Sequence, residues 1–142
     1  MAFPRNMAVV SFAPPDEEGG DNPGEALLSR ILFGLESMGH EVSPPGDEEY
    51  CWAAEVVVDG ASCEVRAGWT GDEWLVTLDP PPVGPFPRLR GLLGADPRAR
   101  SQEVAQRFAA DLHDVLGAIG RVRWYTPDDH RPGHSGAATP FD

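Results

Sequence analysis

The dipeptide Asp59-Gly60 constrains this chain more than any other feature. It sits inside CWAAEVVVDGASCEVRAGW, residues 51–69, between two runs rich in alternating and β-branched residues. Asp-Gly is the strongest short-range signal for a two-residue β-hairpin, because both central residues of a type I′ turn need positive φ. Such a turn pairs Val58 with Ala61, Val56 with Cys63, Ala54 with Val65 and Trp52 with Ala67. All eight side chains are apolar and share one side of the pleat. The other side carries Ala53 opposite Arg66, Glu55 opposite Glu64 and Val57 opposite Ser62. A slip of one residue would exchange the two faces, so the register is specified.

A second turn can be tested against the first. If Gly71-Asp72 also forms a two-residue loop, Trp69 faces Trp74, Ala67 faces Val76 and Val65 faces Leu78, continuing the same apolar side. Two independent turns then agree on one core face. Upstream, MAVVSF (7–12) is a strand candidate. DNPGEALLSRILFGLESMGHEV reads as a helix: Asp21 or Asn22 can cap it, Pro23 suits its first turn, and Leu28, Ile31, Leu32 and Leu35 form one apolar stripe. Gly39 stands where a left-handed C-terminal cap belongs, with His40 just past it in a capping rather than a catalytic position. Gly34 looks like a weak point, worth about 1 kcal/mol against Ala.

Downstream, residues 43–49 read as an acidic loop and 79–97 as a long proline-rich segment of extended, covering character. A second helix is expected over 101–120, with Ser101 as its cap, Gly120 as its end and Val104, Phe108, Leu112, Val115 and Ile119 as its stripe. RVRWY (121–125) alternates like a strand. The expected order is β-α-β-β-β-α-β. The fold class is α+β, a two-layer sandwich with an antiparallel sheet of four to five strands and both helices on one face. Residues 1–126 are expected to form a single domain and 127–142 a polar, mobile tail.

The register also separates the two cysteines. Cys51 lies five positions beyond the partner of Cys63, roughly 17 Å at the rise of a strand, against a disulfide limit of about 7 Å between Cα atoms. They also point to opposite faces, so a bridge is excluded. Cys63 reads as a small buried hydrophobe and Cys51 as an unactivated surface thiol. Neither has a Cys-x-x-Cys partner for zinc.

Glu55, Glu64 and Asp79 fall in one row across three adjacent strands, on the face away from the core, with Arg66 one row away. Like charges directly opposite are normally avoided. Three readings compete for this row: a solvated face neutralised by Arg66, a docking row for a basic partner, and a thin divalent-cation site. The docking row is the functional candidate, with Glu55, Glu64, Asp79 and Arg66 as its residues.

Other constellations are weaker. Asp128, Asp129, His130 and His134 sit close together, but Pro132 and Gly133 break the helical spacing a metal site would use. No Gly-x-Gly-x-x-Gly, phosphate-binding Lys-Ser/Thr or Gly-x-Ser-x-Gly occurs. No catalytic residue, metal or cofactor is therefore assigned, and the expectation is a protein that is not an enzyme.

The formal net charge of −12 opposes nucleic acid and anionic membranes and favours a basic partner or plain solubility. Residues 1–60 hold 12 acids against 2 Arg, and residues 61–142 hold 11 acids against 9 Arg. The Arg residues at 88, 90, 98, 100 and 107 are the one basic concentration, expected to pair with the acidic first half. There is no lysine, and an all-arginine, Ala/Gly/Pro-rich composition resembles that of chains from GC-rich bacterial genomes, an association through codon usage. The start lacks the apolar stretch of a secretory signal, so a cytoplasmic location is expected.

In size and charge the chain is similar to immunity proteins that block toxins and to inhibitors that cover basic active sites. That implies a non-enzymatic acidic protein that occludes a basic protein partner. A secretion-chaperone-like homodimer binding a client segment is the alternative, since small acidic α+β domains of that kind have a comparable helix–three-strand–helix core. A small ligand-binding domain or an enzyme of unknown chemistry is a third. No signature motif assigns a family.

Overall fold

A computed structural model describes residues 3–14, 23–81, 97–131 and 133–141. Within them the chain forms seven strands and two helices. In chain order these are β1 (Met7–Val10), α1 (Glu25–Ser37), β2 (Glu41–Val42), β3 (Gly46–Asp47), β4 (Trp52–Val58), β5 (Ala61–Trp69), β6 (Trp74–Asp79), α2 (Pro97–Ile119) and β7 (Val122–Tyr125). The strands make one antiparallel sheet in the order β2-β4-β5-β6-β1-β7, with β3 also pairing β4.

The central register follows from the turns. Asp59 and Gly60 both take positive φ, 50° and 81°, as a type I′ turn requires. Trp52↔Ala67 through Val58↔Ala61 pair as the turn dictates. Trp69↔Trp74 through Glu64↔Asp79 continue across β5 and β6. The first strand then joins β6 (Ala8↔Val76, Val10↔Trp74) and the last joins the first (Ala8↔Trp124). Pleat parity therefore carries one face from β4 to β7. Ala54, Val56, Val58, Cys63, Val65, Ala67, Trp74, Val76, Leu78, Ala8, Val10 and Trp124 form one buried cluster with the inner stripes of both helices.

The helices run antiparallel. Gly34 of α1 lies against Val115 of α2, and His40, just past α1, meets Asp111 at 2.6 Å. A Cβ at Gly34 would come within 2.7 Å of the Val115 side chain, so this glycine allows close helix packing rather than marking a weak point. Gly39 takes φ 100° and closes α1, its N–H donating to Glu36 O while His40 N–H donates to Leu35 O.

Several boundaries differ from the expected ones. The sheet has seven strands rather than four to five, because two-residue strands form from the segment expected to be an acidic loop. Helix α1 begins at Glu25 with Gly24, not Asp21, Asn22 or Pro23, at its N-terminus. Gly24 takes φ 133° against β5, where a Cβ would come within 2.7 Å of the Ala67 carbonyl. Asp21 and Asn22 lie outside the described residues, as do residues 82–96 of the proline-rich segment. Helix α2 starts at Pro97, a residue suited to a first turn. Ser101 is consequently inside the helix, buried, with its hydroxyl donating to the Pro81 carbonyl at 2.9 Å.

The segment after β7 is docked over its described residues. Ala137 forms an antiparallel bridge with Trp124, and Arg5 N–H donates to Pro140 O. Tyr125 points away from the core yet is only 8% exposed. His130 and His134 sit against its ring at centroid distances of 5.0 and 5.9 Å, and Gly136 packs on it from outside. His130 Nε2 also lies 2.9 Å from Glu73 Oε1. This part of the chain covers the β1–β7 end of the outer sheet face. No helix among the described residues is long and apolar enough to cross a membrane.

Two glycines late in the chain test this packing. A Cβ at Gly120 would overlap the Ser11 carbonyl oxygen, whereas one at Gly117 meets nothing within 4 Å. Chemical denaturation should therefore show Gly120→Ala losing about 2 kcal/mol or more, and Gly117→Ala gaining roughly 0.5–1 kcal/mol from its better helix propensity.

Candidate functional site

The outer face of the sheet, opposite the helices, is built by the same parity that makes the core. From β4 to β6 it presents Glu55↔Glu64↔Asp79 in one row and Ala53↔Arg66↔Thr77 in the next. The four residues singled out in the sequence are thus brought together. Glu55, Arg66 and Asp79 are exposed, and Glu64 is half-buried.

The row is only partly neutralised. The Arg66 guanidinium donates to the Glu64 carboxylate. That hydrogen bond, with the charges of Glu64 and Asp79, holds Arg66 above the ordinary arginine range. Glu55 and Asp79 form no ion pair with the described residues. Neighbouring strands lie about 5 Å apart, so two carboxylates flank a third that has one cation.

Two arginines of the expected basic concentration are used elsewhere. Arg100 donates to the Asp59 carbonyl, and Arg107 Nη1 lies 3.6 Å from Asp59 Oδ1, so helix α2 clasps the β4–β5 turn. Arg88 and Arg90 lie outside the described residues.

Chain folding adds acids beside the row. The segment between β2 and β4 returns along the β4 edge: Ser43 N–H donates to Glu55 O, and Glu55 N–H donates to Ser43 Oγ at 2.8 Å. This returns residues 46–51 along β4 and brings Glu48 and Asp47 close enough to Cys51 to act on its thiol together with Glu64. Asp47, Glu48 and Glu49 are exposed. Asp47 Oδ1 accepts from Glu49 N–H, which holds Glu49 at φ 75°.

A slot of about 210 Å³ opens next to the row, lined by Tyr50, Cys51, Arg66, Gly68, Trp69 and Leu75, among others. Tyr50 is 82% exposed. Trp69 is inward by parity and stacks edge-on to Trp74 at 5.0 Å, but at the strand end it also reaches the slot wall. Gly68 makes room: a Cβ there would come within 3.2 Å of both Cys51 Cβ and Tyr50 O. The register alone does not reveal this slot, because it depends on residues 48–51 folding back. The one signal in the sequence is Gly68, which the register places on the outward side of β5.

The thiols behave as their faces require. Both cysteines are free. Burial pushes the Cys63 thiol up to about 11. Partial burial raises Cys51, which Arg66 opposes while Glu48, Glu64 and Asp47 reinforce it. Neither thiol is an activated nucleophile at neutral pH. The histidines and acids after β7 serve local structure: Asp129 Oδ1 accepts from Thr126 N–H at 2.7 Å, and His134 Nδ1 accepts from Gly136 N–H at 3.0 Å. Among the described residues no group of three or more His, Cys, Asp or Glu is placed to hold a metal ion.

Comparison of the chain with protein-family models, curated proteins and solved structures gives no match.

The buried thiol gives a pH signature. An unfolded cysteine titrates near 9.0, below its folded value of about 11. The folded state therefore holds the proton more tightly, and the stability this confers is lost as pH rises through that window. Unfolding free energies of wild type and Cys63→Ala, compared from pH 8 to 11, should converge as the pH climbs. A constant difference would show that Cys63 ionises freely in the fold.

Proposed function

We propose that this chain is a non-enzymatic acidic binding protein whose outer sheet face, from β4 to β6, covers a basic surface on a protein partner, in the manner of an immunity protein or inhibitor. The observation that carries this reading is the row Glu55–Glu64–Asp79 on a face with no core behind it to justify the cost. Like charges at this spacing cost somewhat under 1 kcal/mol per pair in water, and Arg66 compensates one of the three. A cationic partner would remove that repulsion and gain the attraction, and a net charge of −12 would steer its approach.

The slot beside the row supplies an anchor. Its volume of about 210 Å³ is below the roughly 300–1,000 Å³ of typical small-molecule sites. It suits one side chain of a partner, with Tyr50 and Trp69 as aromatic walls and Glu48 and Glu64 nearby. Because Arg66 also lines the slot, an apolar or aromatic side chain suits it, while the partner's cations meet the carboxylates of the row.

The test is affinity capture from the native host with wild type and the Glu55→Lys/Asp79→Lys variant as paired baits, followed by binding kinetics on any protein held by the first and lost by the second. The reading expects a basic partner and an affinity that falls steeply with salt. The variant should weaken binding about tenfold or more, chiefly through a slower on-rate. Glu64→Lys should act in the same direction. An affinity unchanged by these reversals at low salt would exclude this face.

A further inference from the structure

The helix layer carries a second feature, on the side of the molecule away from the acidic row. Phe33 is 75% exposed in the middle of α1, and Met38 at the end of that helix is 44% exposed. Both border a groove of about 490 Å³ between α1 and α2, shared with Arg30, Asp114, Val115 and Ala118, among others. The Gly34–Val115 contact brings the two helices together here. A large apolar knob beside an apolar groove is a surface that a complementary knob and groove would cover.

We infer that this groove is the twofold interface of a homodimer. Two copies carrying −12 each can approach only where the local charge is balanced, and the groove has one charge of each sign. Arg30 and Asp114 make no ion pair with the described residues. The Arg30 guanidinium lies 5.9 Å from the Phe12 ring, with no carboxylate on it.

Their positions along the groove are opposite. Arg30 precedes Phe33 on α1. Asp114 lies between Val115, which faces Gly34, and Asp111, which faces His40, so it sits on the C-terminal side of Phe33. A twofold axis passing beside Phe33 sets the two Phe33 rings against each other and brings Arg30 of each copy to Asp114 of the other. An isologous contact needs this self-complementarity, and twofold dimers are the commonest oligomers. A basic partner would gain nothing from a rim of balanced charge. The inference does not depend on what binds the acidic row.

Light scattering and sedimentation velocity on the full chain test it. Wild type should show a concentration-dependent dimer mass. Phe33→Asp should be monomeric where wild type is dimeric, with unchanged far-ultraviolet circular dichroism, since the side chain is exposed. Arg30→Glu and Asp114→Arg should each raise the dimer Kd by roughly tenfold or more through like-charge contacts, and the double exchange should restore much of the loss. A wild type that stays monomeric over two decades of concentration would overturn the inference. So would a Phe33→Asp dimer as tight as wild type, or a double exchange no better than the single ones.

Discussion

Everything in the sheet depends on a turn of two residues. With Asp59 and Gly60 both at positive φ, the handedness of the turn matches the twist of its strands, and no one-residue slip is tolerated. Because side chains alternate strictly, that single constraint decides which of two chemistries each position of β4 and β5 meets. The β5–β6 turn passes the same parity on, and the pairings of β1 and β7 carry it to the far edge. The core and the acidic row are thus two consequences of one register. Helix α2 reinforces it, since Arg100 and Arg107 both bind Asp59.

The parts of the fold legible in the sequence are those with enough residues to show a period. The β4–β5–β6 ribbon offers long alternating runs and two turn signals. The helical stripes of α1 and α2 repeat over several turns. Two-residue strands have no period, so β2 and β3 are invisible in a segment rich in proline, glycine and acids. Helix starts failed for a related reason. Capping signals are local, but the first turn of α1 is set by Gly24 meeting a β5 carbonyl, and Ser101 is held by a carbonyl twenty residues away. The segment after β7 looks polar and unanchored in sequence, but its anchors are the outward Tyr125 ring and the backbone of the outermost strand. The acidic row was readable because it follows from register, whereas the slot needs a chain reversal at 48–51 that no pairing rule anticipates.

The charges divide into those the fold uses and those it leaves over. Arginines on α2 hold a turn, His40 and Asp111 link the end of α1 to α2, and Glu73 holds His130. On the outer face of β4–β6 only Arg66 is spent internally. Among the described residues Glu55 and Asp79 stand unpaired on the outer sheet face, while the exposed Phe33 and Met38 stand on the helix layer opposite.

The two-residue strands and the Ala137 bridge have a consequence for how anything could bind this sheet. Along β4, both β2 and β3 occupy backbone groups that an open edge would offer. Along β7, Ala137 does the same at Trp124. An incoming extended peptide finds few consecutive free N–H and C=O groups with which to extend the sheet. Among the described residues the sheet thus offers side chains on its broad surfaces rather than main-chain groups at its edges, so any specificity it has would be written in charge and shape.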